Sequence, residues 1–119
     1  NLIDLEPLDA VSEASRKSGI SILLKGAHSI VVDKSGHTHQ LVETIPYVAR
    51  AGLGDVLAGY AAGLGAIGFS IGNPLNFELL TLAALIHSEA SRICKKGTSA
   101  SLISQEIACL TRNLQIDAL

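Results

Sequence analysis

The chain has 119 residues, 48% of them hydrophobic, and a net charge of −2 from nine Lys and Arg against eleven Asp and Glu. A chain of this size buries roughly two-thirds of its unfolded surface around one core, so one domain or part of one is expected. The charge balance offers no basic field and aromatics make up only 3%, which excludes nucleic acid and an anionic membrane as expected partners.

The sequence opens at Asn1 and contains no Met, the mark of a segment taken from a longer polypeptide. Its strongly apolar stretches, 56–67 and 79–86, read as too short to span a bilayer, and the start carries no signal-peptide pattern. A soluble, cytoplasmic protein is the expectation. Cys94 and Cys109 lack metal-ligand spacing and read as buried thiols instead of a disulfide or zinc site.

Pro7 suits the first turn of a helix, and Leu8, Val11 and Ala14 recur at helical spacing until Gly19, so 7–18 is expected to be a surface helix. Ile20 to Leu24 is an apolar run broken only by Ser21, the pattern of a strand buried on both faces of a parallel sheet. Ser29 to Asp33 reads as a strand, Ser35-Gly36 as a tight turn, and His37 to Val42 as its hairpin mate with one wet face. Glu43 to Leu53 carries Pro46 and forms a loop long enough to be functional.

A helix from Gly54 to about Ala66 has small residues on nearly every side, as close packing between a sheet and its neighbours would require. Asn73-Pro74 breaks the chain. A long helix over 76–96 places Leu79, Leu82, Ala83, Ile86, Ala90 and Ile93 on one face, and a last helix follows Ser99-Ala100-Ser101. Three short strands against four helices predict an α/β fold whose sheet is completed by a segment upstream.

Chemistry concentrates in two places. In Ala49-Arg50-Ala51-Gly52-Leu53-Gly54-Asp55-Val56-Leu57-Ala58-Gly59, two glycines leave amide N–H groups uncovered at a helix start. Such a start holds phosphate, and Asp55 beside it could take a hydroxyl proton. An Asp near a helix start also serves as an ordinary cap, and glycines there as ordinary turn residues. The second place is Leu24-Lys25-Gly26-Ala27-His28-Ser29, at the carboxyl end of the expected buried strand, where open α/β sheets bind ligands. Lys25 could meet a phosphate there, or simply end a strand in solvent. His28, His37 and His39 show no ligand spacing, and no metal site is expected from them. His87 and Glu89 read as residues bordering the core, and Tyr47 either covers a nucleotide or caps its loop.

These two motifs, in this order around a hairpin, resemble the C-terminal half of the ribokinase-like NAD(P)H-hydrate dehydratases, over residues 7 to about 112. The resemblance implies a three-layer sandwich with a mostly parallel sheet, one hairpin and about four helices, whose N-terminal half lies outside residues 1–119. It implies ADP- or ATP-dependent dehydration of the hydrated cofactors NADHX and NADPHX, with Mg2+, a fused epimerase domain as a further partner, and a homo-oligomer left open. By the same resemblance Lys25, Gly26, Ala27, His28 and Ser29 form a nucleotide-binding turn. Gly52, Leu53 and Gly54 hold the phosphoryl group, and Asp55 reaches the substrate as catalytic base. Ile45-Pro46-Tyr47-Val48, Arg50 and Ala51 depart from the family's usual residues before the glycines. The Gly-x-Gly-Asp element is shared with kinases of sugars and vitamin precursors, so such a kinase is the alternative enzyme, and a non-catalytic nucleotide-binding module is the alternative outside enzymology.

Overall fold

A computed structural model describes residues 5–42, 51–72, 77–94 and 98–114. Its elements run α1 (Pro7–Ser18), β1 (Ile22–Leu24), β2 (Ile30–Val32), β3 (Thr38–Gln40), α2 (Leu53–Ser70), α3 (Phe77–Ile93) and α4 (Ala100–Asn113). Pro7 starts α1, and Gly19, left-handed at φ 74°, ends it by donating its N–H to the Ser15 carbonyl. The fully buried Ser15 hydroxyl then donates to the Ile20 carbonyl at 2.6 Å, which fixes how the chain turns towards the sheet.

The three strands form one sheet in the order β1-β2-β3, and both pairings are antiparallel. Register alternates the side chains cleanly. Ile30 and Val32 face α1, packing on Val11 and Ile22. Leu23 and Val31, paired across the strands, face the other way, where Leu23 meets Leu57, Ala61, Leu64 and Ala83 of α2 and α3. The sheet therefore lies between α1 on one side and the packed α2, α3 and α4 on the other, and a second cluster of Leu53, Ile86, Ala90, Ile103 and Ile107 joins those three helices.

The parallel sheet and the doubly buried Ile20–Leu24 strand both need correction. Among the described residues no strands pair in parallel, and Ile20 is 61% exposed with Leu24 at 37%. The strand covered on both faces is β2, whose three residues are all buried because it is the central strand between two helical layers. A short apolar run cannot announce which of two neighbours takes the centre.

The helix expected over 54–66 runs on to Ser70 and so reaches 18 residues with a mean hydropathy of 1.2, long and apolar enough to cross a membrane by those measures alone. Its Leu53, Leu57, Ala61, Leu64 and Gly68 are buried within the fold. Ile93 is 43% exposed and lies off the buried face of α3. Cys109 is exposed and Cys94 half-buried, so the buried-thiol expectation fails for Cys109. Asn73-Pro74, Tyr47, Arg50 and most of the 43–53 loop fall outside the described residues.

Candidate functional site

The Gly52–Asp55 segment forms the entry to α2. Gly52 is the N-cap residue at φ 87°, ψ −13°, a left-handed conformation that side-chain-bearing residues avoid. Its carbonyl accepts from the Val56 N–H at 3.0 Å, closing the first helical turn, and no side chain caps the helix. Gly54 is different. Its φ is not positive, and a Cβ there would meet nothing within 4 Å, so the fold does not require glycine at this position. A bare backbone at the positive end of a helix is what an approaching phosphate needs. Asp55 is exposed in the first turn, the end of α2 where its charge is best accommodated.

Lys25, Gly26, Ala27, His28 and Ser29 link β1 to β2. Because Leu24 pairs with Ile30 antiparallel, this segment is a hairpin connection and not the carboxyl end of a parallel strand entering a crossover. Lys25, Gly26, Ala27 and His28 are exposed and Ser29 is half-buried, so their backbone is open to a ligand. Gly26 resembles Gly54, since a Cβ would make only an ordinary 3.7 Å contact with the His28 carbonyl.

One buried side chain relates the two segments. His87 of α3 places Nε2 at 3.1 Å from the Leu53 carbonyl oxygen. A carbonyl can only accept, so the ring carries its proton on Nε2 and donates. Burial holds His87 below the ordinary imidazole range, the Leu53 bond opposes this, and the Lys25 ammonium pushes it further down. The strand that precedes Lys25 packs against α3, the helix that carries His87, while His87 bonds the start of α2.

Asp55 also borders an open groove of about 540 Å³ between α2 and α4, whose walls include Val56, Gly59, Tyr60, Ser104, Ile107, Thr111 and Arg112. At its base the Thr111 hydroxyl donates to the Ile107 carbonyl at 2.7 Å, so the 2.8 Å contact with Tyr60 has the phenol as donor. Among the described residues no group of three His, Cys, Asp or Glu side chains could hold a metal. His37 and His39 are engaged elsewhere: His37 pairs with Asp33 at 2.7 Å, and His39 stacks on Phe77 with ring centres 4.7 Å apart.

A family model described as NAD(P)H-hydrate dehydratase matches residues 3–113. The chain belongs to the NAD(P)H-hydrate dehydratase family. It is 33% identical over 86 residues to a bifunctional NAD(P)H-hydrate repair enzyme of Synechocystis sp., covering 70% of this chain and 15% of that protein. It is 32% identical over 103 residues to an ADP-dependent (S)-NAD(P)H-hydrate dehydratase of Nitrosopumilus maritimus, covering 86% of this chain and 33% of that protein. A bifunctional repair enzyme of Methanopyrus kandleri is 29% identical over 100 residues, covering 84% and 19%. No solved structure matches. The chain thus spans between 15% and 33% of the length of these dehydratase-family relatives. The core-bordering place expected for His87 agrees with its burial in α3, but its bond to Leu53 was not foreseen. Nothing in a lone histidine on a helix face signals a bond to a carbonyl 34 positions earlier.

Proposed function

We propose that this chain is the C-terminal part of a ribokinase-like domain in a cytoplasmic, nucleotide-dependent NAD(P)H-hydrate dehydratase, and that its two backbone segments hold the phosphates of ADP or ATP. The observation that supports the reading is the entry to α2, where a left-handed Gly52 leaves the helix start without a side-chain cap and Asp55 stands exposed in the first turn. Lys25 and the bare amides stabilise phosphoryl charge as it develops. Asp55 takes the proton of the ring hydroxyl as that oxygen bonds to the terminal phosphorus and the bond to the nucleotide's bridging oxygen breaks. The phosphate ester then departs as the ring carbon–oxygen bond breaks and the neighbouring carbon loses a proton, restoring the double bond. Of the residues placed at the proposed site only Asp55 is a carboxylate, and no step here depends on Mg2+.

One feature supports the assignment of this chain to part of a domain: large apolar side chains stand in solvent, with Phe69 77% and Ile71 56% exposed at the end of α2. The remainder of the proposed domain supplies the parallel strands that would cover such surface, and an epimerase domain would be the second unit where the protein is bifunctional.

The test uses the intact protein with NADHX and ADP. Restored NADH absorbance with equimolar phosphate release is expected, and Asp55→Asn should lower turnover by about 10²-fold or more while ADP still binds. A stable phosphorylated product, or an Asn variant with undiminished turnover, would overturn the reading.

A further inference from the structure

We propose that His87 is a positioning residue, whose Nε2–H fastens the first turn of α2 to α3 and so sets where the Leu53 and Gly54 amides stand relative to Lys25. This rests on the nucleotide-binding reading above. The entry to α2 needs such a fastening, because its N-cap is a glycine with no side chain to return a hydrogen bond. Among the described residues, the atom nearest to where a Gly52 Cβ would stand is the Ala100 Cβ at 3.4 Å, which is contact without direction.

The Leu53 side chain is buried against Ile86 and Ala90, the residues flanking His87 on α3, so packing sets the distance between the helices. The Val56 N–H to Gly52 carbonyl bond closes the turn within α2. The His87 bond adds a directed link from that turn to α3, since a carbonyl accepts best near its own plane.

A purely structural role would be met more cheaply by a leucine. The site is apolar, and a buried imidazole gives up hydration that an aliphatic residue would not. What leucine cannot provide is a donor aimed at Leu53. Lys25 is the basic group felt by His87, and its charge favours a neutral ring there, which keeps a second cation away from the same corner. A phosphate held between Lys25 and the α2 amides therefore meets one mobile charge and one fixed set of donors.

The experiment measures ADP binding by calorimetry in the intact protein for wild type, His87→Leu and His87→Gln. The leucine variant should bind about five- to tenfold more weakly, the effect of one lost directional hydrogen bond. Glutamine carries an N–H donor at similar reach and should stay within about twofold of wild type. Equal binding by wild type and H87L, or equal weakening in H87Q and H87L, overturns the proposal, because a merely structural role predicts lower melting temperatures without this rescue. If wild type binds no ADP, the functional reading fails instead, and amide hydrogen exchange without nucleotide decides the positioning. Exchange near Leu53 and Gly54 should quicken in H87L but not in H87Q, and unchanged exchange refutes it. Where H87L does not fold, nitrogen NMR of wild type decides: the Nε2–H tautomer at neutral pH supports the proposal, and the Nδ1–H tautomer overturns it.

Discussion

Gly52 and Gly54 stand two residues apart, yet alanine at each should move stability in opposite directions. At Gly52, φ 87° places an alanine in the left-handed region at a cost of about 1–2 kcal/mol, with its methyl 3.4 Å from Ala100 adding little. At Gly54 the backbone is helical and the space open, so alanine should gain up to about 1 kcal/mol of helix propensity. In thermal denaturation of the intact protein, Gly52→Ala should lower Tm by about 2–8 °C, and Gly54→Ala should hold or raise it. ADP affinity should follow neither order. A methyl at Gly54 stands among the amides that would receive phosphate, and losing one charge-assisted bond of about 1.5–3 kcal/mol weakens binding about 10- to 100-fold. A more stable Gly54→Ala protein that binds ADP as wild type does would show that those amides face no phosphate, and a fully stable Gly52→Ala protein would refute the left-handed entry to α2.

Asp33 Oδ2 lies 2.7 Å from His37 Nδ1, and its Oδ1 accepts from the Ser35 and His37 N–H groups at 2.9 Å each. This raises the His37 pKa above 6.5 and lowers that of Asp33 below 3.8. The His37 contribution is complete below pH 6.5 and fades as pH rises through its folded value, whereas the Asp33 contribution is present above pH 3.8 and fades as pH falls through its own. Proton NMR should show His37 titrating above 6.5 and Asp33→Asn returning it towards 6.5, and an unmoved titration would sink the pairing. Ile103, wholly buried where α4 meets Leu53, Ile86 and Ala90, should cost about 2–5 kcal/mol when cut to alanine. A denaturant midpoint giving under about 1 kcal/mol would mean that α4 is not anchored there.

Helices were legible because their signals are local. Pro7 and Gly19 bracket α1 at the residues where it begins and ends, and the spacing of Leu79, Ala83, Ile86 and Ala90 marks the buried face of α3. The sheet was less legible, for a reason specific to residues 20–32. Ile20–Leu24 and Ile30–Val32 are both short apolar runs, and Lys25–Ser29 carries no Asn-Gly or Asp-Gly to announce a hairpin. With the hairpin unseen, β1 looks like a buried parallel strand, although the doubly covered strand is its partner β2.

That error changes the physical basis on which the proposed site rests. In a parallel crossover, a strand end and the helix that follows it jointly create the anion site, so Lys25 would be placed by sequence-adjacent geometry. Here the Lys25 turn closes a hairpin, and the start of α2 comes only after a second hairpin and a dozen further residues. Any relation between the two has to come from tertiary packing: Leu23 of β1 packs on the cluster that includes Leu57 and Ala61 of α2, and His87 of α3 bonds Leu53. Residue types alone suggest both halves of the proposed phosphate site, but any relation between them resides in contacts spanning some thirty residues. A substitution in that packing should alter nucleotide affinity without touching either motif, which is why His87 tells more about this site than a further change within the glycines would.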